Sequence, residues 1–130
     1  MASDTLFAAA PEGTTWPLDL DAVEAEFRRR FPDAVISRER TLVSGRNYIS
    51  ADVPIEGMML PASYFENGNL ALSDGTPELW ADTFAWFLSL LPAGTPIVAL
   101  TDQNQNLTPI PESATSAQIQ QIYERLIAEA

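Results

Sequence analysis

Some residues of this chain have types and spacings that could do chemistry. Asp102-x-Asn104-x-Asn106 reproduces positions one, three and five of a calcium loop, whose oxygen ligands alternate along the chain to converge on one ion. Such a loop also needs a glycine at position six and a glutamate at position twelve, and here those are Leu107 and Ser113. The stretch is read as a polar surface loop, and no metal or other cofactor is expected. Asp19, Asp21, Glu24 and Glu26 are close enough in sequence to pair carboxylates for general acid–base work. They also stand where acids favour the positive end of a helix dipole, which accounts for them without catalysis. Arg28-Arg29-Arg30 could hold an anion, yet three successive helical residues splay around the axis, with Glu24 and Glu26 in pairing reach.

What the chain lacks narrows the chemistry further. It contains no cysteine and no histidine, so thiolate catalysis, disulfides, the usual general base and the commonest metal ligand are absent. All seven basic residues are arginine, which removes Schiff-base and phosphate-loop lysines. Ser44-Gly45 and Ser73-Asp74-Gly75 lie in no Gly-x-Ser-x-Gly elbow, and the glycines are scattered singly at turns. A conventional enzyme is not expected.

Charge is the stronger signal. The net charge is −11, and six of the seven arginines fall between Arg28 and Arg46. From Asn47 to Glu124 there is no basic residue but nine acids: Asp52, Glu56, Glu66, Asp74, Glu78, Asp82, Asp102, Glu112 and Glu124. Nucleic acid is a poor partner for such a surface, because phosphate contacts by Lys and Arg supply most of that affinity. Anionic membranes would repel it as well. A basic protein partner fits the field, although an acidic surface also serves solubility alone. The chain's opening residues have neither the basic region nor the apolar run of a signal peptide, so a cytoplasmic location is expected.

The elements that must position these groups are organised around Leu79–Leu91, the densest apolar stretch. Thr76-Pro77-Glu78 reads as N-cap, proline at the first helical position and an acid on the positive dipole end, and Pro92-Ala93-Gly94 terminates the helix. Leu79, Trp80, Phe84, Trp86, Phe87, Leu88, Leu90 and Leu91 cover over half the helical wheel, leaving Asp82 and Ser89 on a narrow polar stripe. Leu20, Val23, Phe27 and Phe31 mark a first amphipathic helix, with Asp21 and Glu24 resembling a capping box. Thr115 and Gln118 form a second such box before a last helix bearing Ile119, Ile122, Tyr123, Leu126 and Ile127.

Strand-like runs cover 34–43, 47–55, 58–65, 69–73 and 96–100, the first carrying charges suited to an edge. Two-residue turns at Glu56-Gly57 and Asn67-Gly68 demand opposite registers of the strand between them. Either a bulge near Pro61 reconciles them, or the sheet is covered on both faces. The expected fold is α+β: a largely antiparallel sheet of four to five strands, a buried central helix and helices at both ends, in the order α-β-β-β-β-α-β-α. Residues 1–14 are expected as a flexible tail before a single domain over 15–130.

The expected function is binding of a basic protein, in the manner of an immunity or antitoxin-type inhibitor that occludes a toxin domain. Trp86 beside Asp82 offers an aromatic anchor, and Glu78, Asp82, Trp86, Asp74 and Asp102 form the expected contact set. Two other readings stand beside it: a small-molecule binder or hydrolase using carboxylates, Ser or Tyr, and a structural or regulatory module within an assembly.

Overall fold

The computed structural model describes residues 4–130. Its elements are β1 (Leu6–Ala9), α1 (Leu20–Arg30), β2 (Val35–Arg40), β3 (Asn47–Ile55), β4 (Met58–Phe65), β5 (Asn69–Leu72), α2 (Pro77–Leu88), β6 (Val98–Thr101), β7 (Thr108–Pro109) and α3 (Ser116–Ala128). The class is α+β, and all strand pairs are antiparallel, in the order β2-β3-β4-β5-β1-β6-β7. The sheet thus has seven strands rather than four or five. The two additional strands are β1 and the short β7.

β1 corrects the expectation of a tail. Leu6–Ala9 pairs with Asn69–Leu72 on one side and Val98–Thr101 on the other. Leu6 and Ala8 are fully buried, and residues 1–3 lie outside the described part. A strand with partners on both edges satisfies every backbone donor and acceptor within the sheet. Four residues of small and apolar type suffice there, because neighbours rather than local propensity hold them.

The helices start where their caps dictate. The Asp19 carboxylate accepts from the Ala22 amide at 2.8 Å, so the α1 cap lies two residues before Asp21. Thr76 caps α2 with Pro77 at its first position, and Thr115 and Gln118 complete a capping box on α3. The conflict of strand registers resolves without a bulge. Glu56 and Gly57 both have positive φ, as a type I′ turn requires, and set Ile55 against Met58. The second turn has three residues, Glu66-Asn67-Gly68, because Phe65 pairs with Asn69. Gly68 has φ of +93°, and a Cβ there would lie 2.9 Å from the Trp16 amide nitrogen, so no other residue fits. Pairing of β4 with β3 is unbroken from Met58 to Phe65, and Pro61 does not interrupt it. The Pro61 carbonyl accepts from the Ser73 amide just past the end of β5, so its missing N–H faces a side where the ladder has ended.

All but one of the buried side chains of the strands lie on one sheet face, where α1, α2 and α3 pack; the exception is Ala71, opposite Phe7 on the other face. Phe87 is fully buried at the centre, its ring 5.4 Å from Tyr64, 6.2 Å from Phe27 and 6.3 Å from Trp16. Each buried aromatic with a polar tip spends it on a carbonyl of another segment. Trp16 Nε1 donates to Pro96, Tyr64 Oη to Leu18, Trp80 Nε1 to Ser73 and Tyr123 Oη to Phe7. Burial, aided by the charge of Asp19, pushes the Tyr64 phenol up to about 12. Truncating Phe87 to Ala removes the ring that joins α1, α2 and the sheet, and is expected to lower stability by about 3–5 kcal/mol. Chemical denaturation measures this, and an unchanged midpoint would place Phe87 outside the core.

Candidate functional site

Five of the seven arginines are engaged locally. Arg28 pairs with Glu24, Arg29 with Glu26, and Arg38 reaches from β2 to Asp21 at 2.6 Å and Glu24 at 2.8 Å. Arg40 donates to the Gly45 carbonyl, and Arg30 lies over the Phe31 and Trp86 rings at 5.9 and 5.8 Å. Arg28 and Arg29 are thus paired within α1, and Asp21, Glu24 and Glu26 are paired with arginines of α1 and β2. Hydrogen bonds from Arg38 and Arg28 hold the Glu24 carboxyl below its ordinary value of 4.5. A lowered folded-state pKa contributes stability above the unfolded value, which is lost as pH falls through the folded one. Glu24→Gln is thus expected to be less stable than the parent at pH 7. The gap should close in acid, below the ordinary value of 4.5, as melts at stepped pH would show.

The nine acids of the long arginine-free tract behave differently. All nine are exposed, and none takes part in an ion pair among the described residues. Several gather at one end of the molecule. Asp74, at a positive φ of 63°, turns the chain from β5 into α2, and Glu78 lies in the first turn of that helix. Glu124 of α3 shares a shallow apolar depression with Glu78, Thr76, Pro77, Ile127 and Ala128. Asp102 joins this end through the sheet: its carboxylate accepts from the Thr5 amide at 3.0 Å, and the Thr5 hydroxyl meets that of Ser73. Asp82 is exposed one helical turn beyond Glu78. Arg125 beside Glu124 is the cation of α3.

Trp86 does not complete this set. It is half-buried between α1 and α2, with edge contacts to Phe27 at 5.5 Å and Phe31 at 5.7 Å, and Arg30 covers it. The expected anchor is a helix-packing residue. Its ring pairs with the one basic corner of the molecule rather than standing free among the acids.

The calcium-like stretch is a built turn. The buried Asn104 donates from Nδ2 to the Leu126 carbonyl at 2.9 Å, and its Oδ1 accepts from the Asn106 amide at 3.1 Å. Its own amide donates to the Thr101 hydroxyl. No group of three or more His, Cys, Asp or Glu side chains placed to hold a metal ion occurs among the described residues. Asn104→Ala strips a buried carbonyl at the end of α3 of its donor, a loss of about 1–3 kcal/mol. The melting temperature should fall and millimolar calcium should not restore it.

A cleft of about 430 Å³ lies between the end of α2 and the start of α3, lined largely by Leu88, Leu91, Ile97, Ile110 and Ile119. Glu112 is its one carboxylate, and that accepts from the Gly94 amide at 3.1 Å. No second carboxylate lines it, as a paired-carboxylate hydrolysis would need.

The surface that the sequence reading missed is the outer face of the sheet. The three helices pack on the inner face, and the outward positions of β1, β3, β4 and β6 carry Phe7, Tyr48, Met59, Phe65, Val98 and Leu100. None of these belongs to the helix-covered core. The available signal was the register conflict itself: apolar residues at both parities of 58–65 imply two apolar faces. No family model matches the chain, and no curated protein or solved structure compared with it is significantly similar. No helix of the described residues is long and apolar enough to cross a membrane.

Proposed function

We propose that this protein is a cytoplasmic protein-binding module of the immunity or antitoxin kind, which occludes a basic toxin-like domain. The observation that carries the reading is the segregation of charge. Ion pairing is confined to α1 and its contact with β2, while nine exposed acids have no ion-pair partner among the described residues. Carboxylates paired at short range cancel one another's field beyond a few ångströms, whereas unpaired ones project it into solvent. A field of this sign attracts a cationic partner before contact and raises the rate of encounter.

The acids at the start of α2 are the first to change. Asp82→Asn with Glu78→Gln is expected to slow association with the co-purified partner more than it speeds dissociation. The wild-type rate should fall as salt shortens the Debye length from about 10 Å at 0.1 M to about 3 Å at 1 M, and the double variant should respond less. A salt series of association rates reads both effects. A partner that is itself acidic, or a rate indifferent to salt, would falsify the electrostatic argument.

A further inference from the structure

We infer that the outer face of the sheet is the surface on which the partner docks, and that this partner is a cationic protein with an apolar contact centre. The inference rests on the basic-partner reading and adds the place and the chemistry of contact. An antiparallel sheet with one free face ordinarily alternates apolar inward with polar outward. Here the outward positions depart from that rule. Phe7 and Leu100 are register neighbours on β1 and β6, and Val98 stands two residues from Leu100 on the same face. Across the sheet Tyr48 and Phe65 are opposite each other, their rings stacked at 4.7 Å. Met59 is 51% exposed. Phe7, Tyr48, Phe65, Val98 and Leu100 are half-buried, and an apolar surface spread over several strands outside the helix-covered core is of the kind that marks an interaction site.

Charge selects the occupant. The outward positions of the seven strands hold no arginine but two acids, Glu39 beside Tyr48 and Asp52 beside Pro61. Arg38 and Arg40 alternate to the opposite face of β2, where Arg38 is spent on α1. A second copy would bring its own −11 charge and the same two acids, so like charges would oppose self-pairing. A partner with aromatic or aliphatic side chains at its centre and Lys or Arg at its margin matches both features.

The test is a titration of the isotope-labelled protein, followed by amide chemical shifts, with two ten-residue peptides. One alternates Lys with Leu and the other Glu with Leu. The Lys–Leu peptide is expected to shift Phe7, Tyr48, Met59, Phe65 and Leu100, and the Glu–Leu peptide to leave them in place. Tyr48→Ser with Phe65→Ser should weaken the Lys–Leu peptide about tenfold or more. Met59→Ser, at an exposed position, should weaken it while leaving the melting temperature unchanged, which separates lost contact from lost folding. Shifts confined to Glu78, Asp82 and Glu124 would overturn the sheet face and leave the basic-partner reading standing. Equal binding of both peptides at the sheet would keep the face and overturn the basic partner. Shifts at these residues that depend on protein concentration without peptide would assign the face to a second copy. Absence of shifts with either peptide would overturn the inference.

Discussion

The double-sided pairing of Leu6–Ala9 is the constraint on which the rest of the structure depends. Without it β2–β5 and β6–β7 share no ladder, since β5 and β6 meet only through β1. The same strand receives the Tyr123 hydroxyl on the Phe7 carbonyl, so the last helix is tied to the first strand. Thr5 extends the link to Asp102 and Ser73. Contacts between the two ends of the chain carry the largest loop-closure entropy and form late. The inner face therefore closes only when nearly the whole chain is present, and the helices that cover it are stabilised by that closure rather than by their own propensity.

Much of this fold was legible from local signals. Caps and periodicity marked the helices, because a side chain that bonds an amide three residues away works at short range. Thr76 and Thr115 do this in the structure as their spacing implies, and the shift from Asp21 to Asp19 shows how two acids near one helix start compete for the cap. β1 was not legible for the opposite reason. Leu6-Phe7-Ala8-Ala9 has no alternation and no flanking turn pattern, and its strand character comes from partners sixty or more residues away. The third turn residue before Asn69 was equally hidden, since the pairing of Phe65 with Asn69 and the approach of Trp16 to Gly68 are long-range features of the fold.

The candidate site shows the same division. The acidic tract was visible by counting, and its residues are exposed and outside the ion pairs of the described residues. Trp86 was misplaced because a helical wheel gives angles but not neighbours. Its position at the margin of the apolar arc fits either exposure or packing, and α1 decides for packing by bringing Phe27, Phe31 and Arg30 against it. Aromatic and cation–π contacts of this kind hold the ring in place.

The outer face follows from dimensions. Seven strands about 4.8 Å apart make a sheet about 29 Å wide, and three helices about 10 Å across cover one side of it. All three lie on the same side, where Val23, Phe27, Phe84, Phe87, Ile119 and Tyr123 meet the inward side chains of the strands. No helix is left for the other side, although its side chains include Phe7, Tyr48, Phe65 and Leu100. A free face under no constraint to bind would gain solubility from polar residues at no cost to the core. Serines at Ser37, Ser50 and Ser63 show that such residues fit the outward pleat. The aromatic and aliphatic residues beside them contribute nothing to the helix-covered core, and Tyr48 and Phe65 pack on each other across the strand pair instead.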